Sequence, residues 1–141
     1  MDELVRWLGE QFDADERIAR AACWDEQSDV WTARPPQEPY ERYTVVDYLS
    51  DGVVAVTPEN ADVGGMGQHV AKWDPARVLR EVDAKRRLLD LHAPGEMEYV
   101  DGNVCMVCDV RGEEPFYPCA TVRLLALPYV DRPGYREEWR P

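Results

Sequence analysis

One histidine and three cysteines in the second half of the chain have the residue types and the spacing of a metal site. His92, Cys105, Cys108 and Cys119 form the pattern H-x12-C-x2-C-x10-C. The C-x2-C pair lets two thiolates converge on one ion, while the intervening amides donate hydrogen bonds to sulfur. Three thiolates and one imidazole complete a tetrahedral zinc shell with no open position, which is typical of a structural site. The pattern therefore predicts one structural Zn²⁺ bound by these four side chains.

The composition of the segment around the cysteines favours a bound metal. Residues 93–118 contain three prolines and three glycines, and few side chains that could bury themselves. Ordering such a segment costs about 1–2 kcal/mol per residue, which local packing cannot recover. Structural zinc sites have apparent binding energies of about 10–16 kcal/mol. We therefore interpret residues 93–119 as a metal-binding loop anchored by the ion.

Other interpretations of these residues stay open at the level of sequence. Cys105 and Cys108 could form a redox pair, or the thiols could be unrelated buried groups with His92 as a core residue. His69 is the replacement ligand to consider if His92 does not bind. Cys23 stands far from the other cysteines and is interpreted as a small buried apolar residue.

A long central helix is predicted to carry the histidine to the site. Asp74 can cap this helix and Pro75 suits its first turn, so the helix is expected over residues 74–92. Four residues share one face at helical spacing: Val78, Val82, Leu89 and His92. The far side carries a basic stripe: Arg77, Arg80 and Arg87, with Ala84 between them. We expect the acidic N-terminal helix to neutralise this stripe.

The first half of the chain predicts one helical segment followed by strands. Asp2 can cap a helical segment over residues 1–24, as one helix or as two with a break near Asp13. Its apolar positions recur at helical spacing: Leu4, Val5, Leu8, Phe12, Ile18, Ala19 and Ala22. Residues 30–73 are predicted to hold the strands: Val30–Ala33, a hairpin of Tyr43–Leu49 and Val53–Thr57 that turns at Ser50-Asp51-Gly52, and Gln68–Trp73. A polar loop with Gly64, Gly65 and Gly67 should precede the last strand.

These elements predict a single α+β domain over residues 1–141. The N-terminal and central helices are expected to pack on a small antiparallel sheet. The zinc-tethered loop then leads to a short helix over Ala120–Leu127, within a C-terminal segment of residues 120–141. Tyr135 and Trp139 in the tail could pack back on the core or form a patch for a partner.

Charge and composition restrict the classes of partner. The chain has 28 acidic and 16 basic residues, a net charge of −12. Direct binding to the nucleic-acid backbone is therefore not expected, since like charges repel. Nine acidic and three basic residues lie within positions 2–29. A solvated helix face that gives solubility is the ordinary explanation, and two functional uses stay open: docking of a basic protein, or mimicry of nucleic acid. There is no run of 18 apolar residues and the N-terminus is charged, so a cytoplasmic protein without membrane contact is expected.

The sequence lacks the common catalytic signatures. Serine occurs only at positions 28 and 50, and neither lies in a nucleophile elbow. No H-E-x-x-H occurs, and Pro118-Cys119 does not continue into the deaminase pattern P-C-x-x-C. A non-enzymatic protein is the favoured interpretation, with a metal-dependent enzyme as an alternative.

Two blocks of the chain resemble a small uncharacterised family of actinobacteria and their phages. The first begins at His69 and reads HVAKWDPARVLREV before AKRR; the second reads LLALPY and then PGYREEWRP, ending at Pro141. The resemblance implies a bacterial or phage cytoplasm and, with a phage origin, a regulator or inhibitor of a host protein. It implies no activity. We expect an acidic, zinc-stabilised module that acts through protein contacts, and a homo-oligomer is possible.

Overall fold

The computed structural model describes residues 2–49, 52–57, 65–108 and 116–141. These residues form four α-helices and two small antiparallel sheets, which confirms the predicted α+β class. The chain divides into two compact units, one of residues 1–14 with 82–141 and one of residues 15–81. That residues 1–141 make a single domain stays a prediction. No helix in the described ranges is long and apolar enough to cross a membrane.

Helix α1 runs over Glu3–Ala21 as one uninterrupted helix. The Asp2 carboxylate accepts the backbone N–H groups of Leu4 at 2.9 Å and Val5 at 3.3 Å, which confirms the predicted cap. Leu4, Leu8 and Phe12 are fully buried. The predicted apolar face is wrong at its end, because Ile18 is 63% exposed and Ala22 lies beyond the last helical residue and is also exposed.

A three-stranded antiparallel sheet forms the β part of the unit of residues 15–81. Its strands are β1 (Thr32–Arg34), β2 (Thr44–Val46) and β3 (Val53–Val56), in the order β1-β2-β3. Val45 and Val46 of the central strand are buried, as β-branched residues on a packed sheet should be. The predicted hairpin is confirmed, with Thr44 paired to Val56. Its proposed turn residues Ser50 and Asp51 lie outside the described residues.

The strand predicted for Gln68–Trp73 is wrong, because helix α2 covers Gly65–Lys72. As a strand, this segment would present mixed polar and apolar residues on both faces. As a helix it places Gly67 and Ala71 on one side, and both are buried. At Gly67 a Cβ would lie only 3.6–4.0 Å from Thr57, Ala33 and Val45. The helix therefore lies close on the sheet. The predicted glycine-bearing loop is wrong for Gly65 and Gly67, while Gly64 lies outside the described residues.

Helix α3 covers Pro75–Leu91 and agrees with the predicted central helix. The Asp74 carboxylate accepts the backbone N–H of Arg77 at 2.9 Å, as expected of a cap. Val82 and Leu89 are buried on the predicted face.

The expected pairing of the basic stripe with the N-terminal helix is wrong for two of its arginines. Arg77 pairs with Glu81 at 3.0 Å and Arg87 with Asp83 at 2.9 Å, both one turn along the same helix. The link to α1 comes instead from Arg86, which pairs with Asp13 at 2.6 Å.

The remaining elements belong to the unit of residues 1–14 and 82–141. A two-stranded sheet joins β4 (Pro94–Gly95) to β5 (Val104–Cys105), and α4 covers Ala120–Ala126. Two single 3₁₀ turns follow, Leu127–Tyr129 and Glu137–Trp139. The rings of Tyr135 and Trp139 lie 5.8 and 5.4 Å from the ring of Trp7. Of the two expectations for the tail, packing back on the core is the one observed.

Candidate metal centre

The four residues predicted as ligands lie together in the structure. The Nδ1 atom of His92 is 3.4 Å from the Cys105 Sγ, 3.3 Å from the Cys108 Sγ and 3.7 Å from the Cys119 Sγ. All four ligand atoms lie within 4.8 Å of one another. His92, Cys105 and Cys119 are buried and Cys108 is half-buried. This arrangement could hold a metal ion.

His92 follows directly after the last residue of α3. Its backbone N–H donates to the Leu88 carbonyl at 3.1 Å, which continues the helical hydrogen bonding by one residue. Leu89, which lies about one turn earlier on the same face of α3, is also buried. The amphipathic pattern of α3 therefore directs the imidazole inward. A polar ring buried in this way needs polar partners, and the three sulfur atoms supply them.

Backbone pairing brings the first two cysteines to the end of α3. Strand β4 begins two residues after His92, and Pro94 pairs with Cys105 across the small sheet. The chain then bends through Met106 and Val107. At Gly95 a Cβ would lie 2.8 Å from the Met106 side chain, so glycine permits the close approach of the two strands. This short sheet was not predicted, because Pro94-Gly95 was interpreted as the end of the helix and not as a strand.

Two further backbone contacts position the third cysteine. Val104 forms a bridge with Phe116, and the N–H of Tyr117 donates to the Asn103 carbonyl at 3.1 Å. The chain preceding Cys119 is thus held alongside the strand that ends at Cys105. Cys119 is the N-cap of α4, with extended backbone angles. The predicted position at a helix start is confirmed.

The pKa values of two thiols in the cluster, those of Cys105 and Cys119, are shifted in opposite directions. Burial raises the pKa of Cys119 to about 11, against the amide of Val122, which lowers it. Burial also acts to raise the pKa of Cys105, but amides of Val107 and Cys108 donate to its sulfur and outweigh it, so that pKa is lowered. The predicted hydrogen bonds from the C-x2-C amides to sulfur are present. Close thiolates repel one another, and a bound cation favours their deprotonated form.

One neighbour of the cluster was missed from the sequence, and the replacement ligand considered there, His69, lies outside the cluster. The Oγ1 of Thr121 lies 3.9 Å from the Cys108 Sγ; the position of a hydroxyl two residues after a ligand at a helix start was the available signal. His69 lies exposed on α2, with its ring 6.3 Å from that of Trp73, and is not a member of the cluster. Cys23 is half-buried, and its Sγ lies 3.3 Å from the Ala19 carbonyl as a hydrogen-bond donor.

Comparison with known proteins gives a family and no function. No match was found among curated proteins or among solved structures. A family profile, described as a family of unknown function (DUF6221), matches residues 1–141. Because the match spans the whole chain, the protein belongs to the DUF6221 family.

Proposed function

We propose that this chain is a non-enzymatic module that holds one structural zinc ion and acts through contacts with another protein. The observation that carries the proposal is the convergence of one imidazole and three thiols on a single point. The set has the soft donors that zinc prefers and the ligand number of a closed structural site.

The distances in the cluster suit a zinc ion. Typical bonds of about 2.3 Å to sulfur and 2.0–2.1 Å to nitrogen, at tetrahedral angles, separate a ligand nitrogen from a ligand sulfur by about 3.6 Å. The three distances from His92 Nδ1 are 3.3, 3.4 and 3.7 Å. Zinc could therefore be bound with small side-chain adjustments.

The chemistry of four protein ligands favours a structural role over a catalytic one. A catalytic zinc site keeps one position for water or substrate. His92, Cys105, Cys108 and Cys119 fill a tetrahedral shell, so an ion bound by all four has no such position. The ion would tie the end of α3, the β4–β5 sheet and the start of α4 to one point.

Contact with a protein is favoured over mimicry of nucleic acid by the pairing of the acidic residues in α1. A mimic needs a continuous row of unpaired negative charges. Here Glu3 pairs with Arg136, Asp13 with Arg86 and Glu16 with Arg20. These arginines interrupt the acidic face. The net charge of −12 still favours a basic partner.

We further propose that the protein works in the reducing cytoplasm of an actinobacterium or its phage. Clustered free thiols suit a reducing compartment, where they bind metal rather than form disulfides. The phage origin would make a host protein the natural partner.

Metal content tests the central claim. Protein purified without a metal-binding tag is expected to contain one zinc per chain by elemental analysis. Cys119→Ser should lose most of it, because a hydroxyl is a poor zinc ligand. Cys23→Ser is the matched control and should keep full zinc content, since Cys23 is outside the cluster. Wild-type protein without stoichiometric zinc, under conditions that keep thiols reduced, would refute the proposal.

A further inference from the structure

Two aromatic rings lie stacked and exposed in the unit of residues 15–81. The rings of Trp24 and Tyr48 have centroids 5.8 Å apart and planes inclined by 19°. Trp24 is 63% exposed and Tyr48 is 44% exposed. Large exposed aromatic surfaces are uncommon in the absence of a partner, and tryptophan and tyrosine dominate the energetic centres of protein interfaces. We call this pair the aromatic platform.

The platform is held in place by two carboxylates that pair with the rings crosswise. The indole N–H of Trp24 donates to Asp47 at 2.8 Å, and the hydroxyl of Tyr48 donates to Asp25. Asp47 is buried and also accepts the Leu49 N–H at 2.9 Å. The rings therefore have little rotamer freedom left to lose, which lowers the entropic cost of binding a partner.

The turn that carries Trp24 is itself tightly bonded. The Ser28 Oγ accepts the backbone N–H groups of Trp24 at 2.9 Å and Asp25 at 3.0 Å, and donates to the Asp25 carbonyl. Asp25 in turn accepts the N–H of Ser28 at 2.8 Å. Ser28 is only 1% exposed. An exposed ring thus stands on a buried and fully bonded base.

The charge next to the platform is negative, because the carboxylates of Asp25 and Asp47 bond to its rings. Elsewhere in the same unit, a guanidinium group covers an exposed ring: Arg77 lies 4.0 Å from the centroid of Trp73. Within the described ranges, no arginine or lysine lies over Trp24 or Tyr48. The platform is therefore an aromatic surface beside two carboxylates that no arginine or lysine of the described residues covers.

We propose that the aromatic platform binds an arginine side chain of a basic partner protein, which deepens the protein-contact part of the proposed function. A guanidinium stacks on an indole ring and can donate to carboxylate oxygens at the same time. Among the described residues, the Oδ2 of the half-buried Asp25 accepts one hydrogen bond, from Tyr48, and each carboxylate oxygen has about two lone-pair sites. Nucleic acid is disfavoured by the carboxylates, and a second copy by its own charge of −12.

Binding of a short, fluorescently labelled all-arginine peptide tests the proposal on the full-length protein. At physiological salt, Trp24→Ala should weaken binding about twofold to fivefold, since a cation–π contact at an exposed site is worth about 0.5–1 kcal/mol. Trp73→Ala is the matched control, because its ring is already covered by Arg77; binding should be unchanged. An all-lysine peptide should bind more weakly than the arginine peptide, and Trp24→Ala should reduce its affinity by a smaller factor.

A second variant tests the platform without removing a ring. At Gly52 a Cβ would lie 1.9 Å from the Asp47 Oδ1, so Gly52→Ala should displace Asp47 and release the indole. This variant is expected to weaken binding of the arginine peptide as Trp24→Ala does, and to leave the circular dichroism spectrum of the protein unchanged.

Three outcomes would overturn the proposal. One is equal binding of the arginine peptide by wild type and Trp24→Ala, since the attraction would then be general electrostatics. Another is binding of a single-stranded oligonucleotide that is tighter than binding of the arginine peptide. The third is a dimer in sedimentation that Trp24→Ala abolishes, which would assign the platform to a second copy. Zinc content measured on the same samples separates this result from the metal proposal: zinc-free protein with Trp24-dependent binding refutes only the metal.

Discussion

Asp74 accepts the backbone N–H of Trp31 at 3.1 Å, across 43 positions of the sequence. The same carboxylate caps α3 through the N–H of Arg77 at 2.9 Å. Asp74 is buried, and Ala76 also donates its N–H to the Asp29 carbonyl at 3.0 Å. One helix cap therefore also fixes the chain that enters β1.

Asp74→Ala is expected to destabilise the protein more than Asp2→Ala. Loss of a cap costs about 1 kcal/mol, which is the expectation for Asp2, whose carboxylate, among the described residues, bonds to the first turn of its own helix. Asp74→Ala should cost about 2–3 kcal/mol, because the partly buried N–H of Trp31 also loses its acceptor. Asp74→Ser, which can cap but is shorter, should fall between them. Urea denaturation measures all three, and equal losses for Asp74→Ala and Asp2→Ala would contradict the double role.

Glycine-to-alanine changes at two positions should have opposite effects on stability. Gly134 has φ of +88°, and a Cβ there would lie 2.8 Å from the Trp7 Nε1, which donates to the Pro133 carbonyl. Gly134→Ala should therefore cost about 1–3 kcal/mol. Gly9 lies within α1 with nothing within 4 Å of a Cβ, so Gly9→Ala should stabilise by about 0.5–1 kcal/mol. Thermal unfolding of both variants checks the signs, and destabilisation by Gly9→Ala would contradict the open surroundings.

Local chemistry was sufficient to predict the elements whose signals lie within a few residues. The carboxylates of Asp2 and Asp74 identified the starts of α1 and α3, and two runs rich in valine, tyrosine and threonine identified the hairpin. The strand predicted for residues 68–73 was wrong because the apolar residues of this segment follow neither the strand period nor the helix period clearly. Its helical state is decided by the contact of Gly67 with Val45 on the sheet, more than twenty residues away in sequence. Such a contact leaves no local signal.

The four residues of the candidate site were predicted from their types and spacing. The backbone pairings that bring them together were not predicted. Spacing alone selected His92 and the three cysteines, and the structure brings them together. The pairing of Pro94 with Cys105 and of Val104 with Phe116 could not be predicted, since neither segment has the length or the alternation of a strand. The crosswise bonds of the aromatic platform were missed for the same reason, because Trp24 and Asp47 are 23 positions apart.

Removal of zinc should destabilise the protein through the metal centre alone. If the proposed ion is present, a chelator should lower the thermal midpoint of wild type strongly, since zinc sites have apparent binding energies of about 10–16 kcal/mol. Cys119→Ser should already have the lower midpoint and respond little to chelator. Cys23→Ser should respond as wild type does. A chelator effect of equal size in wild type and Cys119→Ser would mean that the ion is bound elsewhere.

The hydrogen bond between Tyr48 and Asp25 should make stability depend on pH at both ends of the scale. The Tyr48 hydroxyl, helped by the amides of Gln27 and Ser28, lowers the pKa of Asp25. The same bond raises the pKa of Tyr48 to about 12. A lowered carboxyl pKa contributes stability above the unfolded value of about 3.9, and this is lost as pH falls through the folded pKa. A raised tyrosine pKa contributes stability below about 10, and this is lost as pH rises towards 12.

Tyr48→Phe removes both contributions. Its loss of stability relative to wild type should be greatest between about pH 4 and pH 10 and should shrink at either extreme. Unfolding free energies measured across the pH range give this difference, and a carboxyl-carbon NMR titration should show the Asp25 pKa rising in the variant. Tyr40→Phe, at a tyrosine that is 83% exposed, controls for loss of a hydroxyl. A stability difference that grows below pH 4, or an Asp25 pKa that stays the same in Tyr48→Phe, would show that the hydrogen bond does not form in solution.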